Sequence, residues 1–300
     1  MTRRPIFLIG FALALATLPA CSNSVSTSAV RIESDKISVD EFEQTMQSLA
    51  DADQLELVNG RATGETTRSV LGALLRGKAT TQMLAKYDQS VTDADRELVV
   101  NQLEQDSQTA LLDPKLKELI VFLNSADLAL QRVEVPITEE LIKMYADRPA
   151  KLGVMCMRHI LVEDESTANK VLALLADGDE FASLAGTFST EPGADTTGGI
   201  LGSSNSECLA LSEIQTQVDA GFTAGALQAR AGVPYGPVKS SFGWHIILIR
   251  PFVEIADSLN ATLAIDPGHT LLTGYLATAS ISVKSSYGRW NPATGEIIAN

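Results

Sequence analysis

The chain has 300 residues, with 23 Lys and Arg against 37 Asp and Glu and a net charge of −14. That length suits one large or two ordinary domains, and 45 % hydrophobic residues exclude wholesale disorder. So acidic a chain excludes a nucleic-acid partner, because phosphate binding needs clustered Lys and Arg, and three cysteines are too few for a disulfide-stapled scaffold.

Residues 1–20 read as an address. Arg3 and Arg4 form a positive start, and Ile6 to Ala16 is apolar apart from Gly10. That run is too short to span a bilayer and suits the core of a signal peptide. Leu18-Pro19-Ala20-Cys21 is similar to the bacterial lipobox, in which the cysteine is lipidated and begins the mature chain. The alternative is a plain secretory signal cleaved near Ala20. Either way the chain is exported. Residues 21–29 are mostly small and polar and read as a tether. A lipid on Cys21 would anchor the chain to the outer face of the cell membrane without spanning it. Cys156 and Cys208 then remain, either as a disulfide or as two separate buried thiols.

Residues 30–150 are mostly helical in pattern. A short strand over Ala29 to Glu33 precedes a turn at Ser34 and Asp35. Ser38 with Glu41 has the spacing of a capping box and starts a helix through Leu49. Thr66 to Lys86 carries Val70, Leu71, Leu74, Leu75, Met83 and Leu84 at near-helical spacing. Thr92 with Asp95 caps a further helix to about Gln108. Leu116 to Gln131 and a short segment from Thr138 to Arg148 complete the region.

The texture changes over 151–253. Val154 to Val162 reads as a strand, Ser166 as the cap of a helix to Ala176, and Gly178 as its stop. Asp179 to Phe188 is a short helix, Thr190 to Ser206 a glycine-rich loop, and Glu213 to Arg230 one helix. Val238 to Ser241 and Trp244 to Val253 close the unit as strands. The fold class is therefore α+β. Residues 254–300 form a mixed C-terminal segment with a strand at Ile281 to Lys284 and a turn-rich tail. An isolated hairpin is marginal in water, so this segment is expected to dock on the N-terminal region, near the strand at Ile32.

Several motifs stand in order within residues 151–253. They are Arg158-His159-Ile160-Leu161-Val162, Phe181-Ala182-Ser183-Leu184-Ala185, Glu191-Pro192-Gly193, Gly198-Gly199-Ile200-Leu201-Gly202, and Gly236-Pro237 through Phe242-Gly243-Trp244-His245. In this order and spacing the set resembles the parvulin-type peptidyl-prolyl isomerases, especially the extracytoplasmic foldases of the PrsA and SurA kind. The resemblance implies a small antiparallel sheet with flanking helices, joined to a helical chaperone-like domain. It also implies prolyl isomerisation in secreted or cell-envelope clients that contain X–Pro bonds. No cofactor and no metal are implied.

That reaction breaks no bond. The amide resists rotation because resonance is lost at the twisted geometry, at a barrier of about 18–20 kcal/mol. The resemblance assigns the proline pocket to Leu201, Val218 and Phe222, and substrate contacts to Ser240 and Phe242. His159 and His245 become a paired, organising couple. Glu191 takes the place of an acidic residue that biases the field at the twisting amide; as a plain residue it reads equally as a solvated loop carboxylate. Ser240 reads equally as an ordinary strand serine. Two departures from the family pattern stand out: Ile200 occupies the aspartate position, and the chain between Gly202 and Phe222 is longer than in a minimal parvulin; Val218 also stands where a methionine is common. Glu163-Asp164-Glu165 follows the first strand where phosphate-selective members carry bases, which predicts no phosphate requirement. A holding chaperone that keeps the fold without isomerase activity is the competing reading.

Overall fold

The structure is a computed structural model that describes residues 27–55, 57–107, 109, 112–202 and 206–300. The signal segment and Cys21 lie outside the described residues. Strands β1 (Ser28–Ile32) and β2 (Asp35–Ser38) form a hairpin followed by α1 (Val39–Asp51) and a small ladder of β3 (Leu57–Val58) with β4 (Arg61–Ala62). Four helices follow: α2 (Gly64–Lys86), α3 (Asp93–Gln105), α4 (Pro114–Leu130) and α5 (Glu139–Asp147). A 3-10 turn at Pro149–Leu152 leads into β5 (Val154–Met155) and β6 (Met157–Val162). Next come α6 (Glu165–Ala176), α7 (Phe181–Phe188), α8 (Ala194–Thr197), β7 (Ile200–Leu201), β8 (Leu209–Ala210), α9 (Leu211–Gln217) and α10 (Ala220–Ala226). Then β9 (Tyr235–Lys239) and β10 (Trp244–Ile249) complete the second sheet. The chain closes with α11 (Phe252–Leu263), α12 (Pro267–Thr278), β11 (Ile281–Val283), β12 (Arg289–Asn291) and β13 (Glu296–Ile298).

Local chemistry explains most of these boundaries. Ser38 accepts the Glu41 N–H, and Thr92 and Asp95 form a reciprocal capping box. The start of α6 differs from the sequence expectation. Asp164, not Ser166, accepts the Thr167 N–H, because Asp164 is the last extended residue and Ser166 already lies in the first turn. The helix expected over Glu213 to Arg230 is two helices. Val218 is extended at the break, and Asp219 caps α10 by accepting the Gly221 and Phe222 N–H groups. The closing strand ends at Ile249, not Val253, since Pro251 stands at the head of α11. Residues 254–274 lie in two helices, the second opened by Asp266 and Pro267.

Two sheets organise the chain. A three-stranded sheet has the order β11-β1-β2, with Ile32 opposite Ile281 and Val30 opposite Val283. Tyr287 meets Phe42 edge-on at 5.0 Å. The C-terminal segment therefore shares a sheet with the first strand. The other sheet has the antiparallel order β7-β6-β10-β9. Side chains alternate across it. One face carries Ile160, Val162 and Ile246 against Phe181 and Leu184 of α7. On the other face, Met157, Ile247 and Ile249 join a core that runs without a break into the helical region through Leu152, Tyr145 and Leu272. Each such side chain contributes on the order of 1.5–3 kcal/mol by leaving water. Among the described residues, no helix is long and apolar enough to cross a membrane.

Candidate functional site

The register of β6 and β10 places two histidines on the same sheet face. His159 is opposite Ile247, and His245 is opposite Leu161, so both rings emerge beside Phe222 of α10. His159 Nδ1 lies 3.3 Å from His245 Nδ1 although the residues are 86 positions apart. Phe222 is buried and meets the His159 ring edge-on at 5.5 Å and the His245 ring at 4.9 Å. Ser240 Oγ lies 2.7 Å from His245 Nε2 and accepts the Phe242 N–H at 3.1 Å.

These contacts accommodate one consistent set of proton positions. Two facing Nδ1 atoms need one donor and one acceptor. With its oxygen taking the Phe242 N–H, the buried Ser240 hydroxyl satisfies its own hydrogen by donating to His245 Nε2. His245 then carries its proton on Nδ1 and donates it to His159. Both rings are neutral in this arrangement. Burial is the main reason they stay so. It pushes His159 below the usual histidine range, with the Glu191 carboxylate pulling partly the other way. It pushes His245 down to about 4, with His159 adding to the effect and Asp219 opposing it.

Comparison with known proteins names the segment that carries the pair. The family model described as the PPIC-type PPIASE domain matches residues 143–251. This segment is a parvulin-type domain. The foldase protein PrsA of Clostridium kluyveri is 34 % identical over 137 residues, which cover 43 % of this chain and 37 % of that protein. The chain thus matches well under half the length of that relative. PrsA of Halalkalibacterium halodurans is 26 % identical over 310 residues, covering 94 % of this chain and 85 % of the relative. The crystal structure of PrsA from Bacillus subtilis is similar with a TM-score of 0.30 and 23 % identity, over 86 % of this chain and 95 % of that one.

The parvulin domain brings some of the expected residues together and leaves others at its rim. His159, His245, Ser240 and Phe222 are in direct contact. Leu201 is half-buried and pairs with Met157, on the same face as the histidines. Val218 is half-buried at the break between α9 and α10. Phe242 is 74 % exposed at the tip of the β9–β10 turn, a large apolar ring held out toward solvent. Glu191 is exposed on the loop after α7 and touches the histidines only through its field. Ile200, opposite Arg158, faces the other side of the sheet. Its departure from the family pattern therefore removes no group from the histidine face. Among the described residues, no cluster of His, Cys, Asp and Glu could hold a metal ion.

Two further features frame the site. Gly199 sits at φ +76°, and a Cβ there would come within 2.4 Å of the His159 carbonyl oxygen. The Gly-Gly loop can lie against β6 only without side chains, and the His159 N–H donates to the Gly199 carbonyl at 2.8 Å. Cys156 and Cys208 form a disulfide, both buried, with Cα atoms 4.1 Å apart. It joins the break between β5 and β6 to the segment before β8. Beside it, Arg250 is buried and bonds to Glu207 and Glu254. Asp219 was legible in the sequence only as part of a presumed helix; its side chain proves to bridge α10 and the β9–β10 turn.

Proposed function

We propose that this chain is a prolyl isomerase of the parvulin type that acts as a membrane-anchored foldase on exported proteins. The observation that carries the reading is the buried Ser240–His245–His159 chain packed against Phe222. A planar amide owes its polarity to resonance, and the twisted amide has less of it. An apolar, dry surface favours the twisted form relative to the planar one. Phe222, Leu201 and Val218 would hold the proline ring, and Phe242 would cover it from the turn. The histidines support this wall as neutral groups and neither attack nor donate to the carbonyl. Glu191 would bias the field from the rim.

The charged groups acting on the pair are both acids, Glu191 and Asp219. Glu163, Asp164 and Glu165 are exposed at the end of β6. This supports a site with no phosphate requirement and a poor welcome for anionic residues before proline. Anchoring rests on the lipobox-like Leu18-Pro19-Ala20-Cys21. Cys21→Ala should release the mature chain from membranes, and retention of that variant would remove the lipid from the reading.

The test is a protease-coupled isomerisation assay on the full chain with an Ala–Pro peptide. Acceleration that falls in folded His245→Ala and Glu191→Ala variants supports the enzyme. A phospho-Ser–Pro peptide should be turned over no faster. One observation favours a holding role as well: a 560 Å³ cavity in the helical region lined by Met83, Leu141, Met144 and Leu271. Aggregation suppression without any acceleration would leave that role alone standing.

A further inference from the structure

Asp219 makes four hydrogen bonds with one carboxylate. Oδ1 accepts the Gly221 N–H at 2.7 Å and the Phe222 N–H at 3.2 Å. Oδ2 accepts the Ser241 hydroxyl at 2.7 Å and the Ser241 N–H at 3.2 Å. One oxygen holds the first turn of α10, and the other holds the β9–β10 turn. The two pieces also approach closely at Gly221, where a Cβ would come within 2.5 Å of the Lys239 carbonyl oxygen. α10 supplies Phe222. The turn supplies Ser240, which bonds to His245, and Phe242, which stands out to solvent.

We infer that Asp219 is a positioning residue that clamps the two walls of the prolyl site, holding the Phe222 wall at a set distance from the Ser240–Phe242 turn. It touches neither substrate nor histidine. Beside the field it exerts on His245, its action is geometric: without it, Phe222 and the turn move independently, and the ring they grip is no longer enclosed. The inference rests on the isomerase reading above. It adds a residue outside the motifs that mark the domain.

The experiment is a double-variant cycle on the full chain. Asp219→Asn keeps an oxygen for the Gly221 and Phe222 N–H groups, so the helix cap and the melting temperature should be kept. It turns an NH2 group toward the Ser241 N–H, and kcat/KM should fall ~10-fold, with KM raised. Ser241→Ala should lose less, about threefold, because the N–H bond survives. The double variant should be no worse than Asp219→Asn alone, as expected when two residues act through one link. Full activity in folded Asp219→Asn, or losses that simply multiply in the double variant, would overturn the clamp. If the wild-type chain does not accelerate isomerisation, the enzyme reading fails and the same variants are read by affinity for a fluorescent Ala–Pro peptide. Weakened binding in Asp219→Asn then upholds the clamp, unchanged binding overturns it, and no binding even by wild type overturns both.

Discussion

Phe222 meets His245 edge-on with ring centroids 4.9 Å apart, and the same phenyl ring also meets His159. One buried side chain thus contacts both members of the histidine pair, and in the proposed function it is the wall on which a proline ring would rest. Phe222→Ala removes that wall and leaves a cavity, at a stability cost of about 3–5 kcal/mol. Isomerisation should be lost. Phe222→Leu refills most of the volume and should restore the melting temperature but only part of the activity. Thermal denaturation beside the coupled assay separates the two effects.

The histidine pair sets a sign for pH dependence. In the unfolded chain a histidine titrates near 6.5, while burial lowers His159 and holds His245 at about 4. Above the unfolded value neither state carries a proton and the pair contributes no pH dependence. As pH falls from about 6.5 through 4, the unfolded chain gains protons that the folded pair resists, and stability is lost. Urea midpoints should drop over that window. A His245→Gln variant should flatten the drop, and the same drop in that variant would place its origin elsewhere.

His269 has the opposite sign. It lies 2.8 Å from Asp127 of α4 and 2.9 Å from Asp266 at the head of α12. Burial lowers its pKa, but the two carboxylates outweigh that effect and raise it overall. The tie between α4 and α12 is complete below the unfolded histidine value and fades as pH rises through the raised folded value. Amides of α4 and α12 should exchange faster as the tie is lost, and His269→Gln should remove the pH dependence of that exchange. The side chain is partly exposed, so the effect should shrink in high salt.

The disulfide closes a loop between residues 52 apart, the segment that includes α6, α7 and the Gly-Gly loop. Chain-entropy reasoning puts its contribution at about 4 kcal/mol. A Cys156→Ala/Cys208→Ala chain should unfold at a lower denaturant concentration by a comparable margin. Dithiothreitol should lower the wild-type midpoint toward the same value and leave the variant unchanged.

Much of this was legible in residues close together in the chain. The caps at Ser38 and Thr92, the long α2 and α4, and the stop at Gly178 follow from hydrogen bonds within a single turn. The histidine motifs and the glycine pair pointed to the parvulin domain. Where the local reading erred, a competing local bond decided: Asp164 displaced Ser166 as a cap, and Asp219 split one expected helix into two.

The sequence by itself determined the helical start, the α+β domain that follows, and the residue types that chemistry needs, because periodicity, capping and motif spacing are properties of neighbouring residues. Only the tertiary structure decided which of those residues meet. Sheet register turned Ile200 to the opposite face and gave atomic form to two meetings the sequence had only pointed to, His159 with His245 and the C-terminal strand β11 with β1. The disulfide, the His159–His245 contact and the two bonds from Ser241 to Asp219 depend on atoms far apart in the chain. Their proximity is settled when the core closes, and no window of sequence contains it.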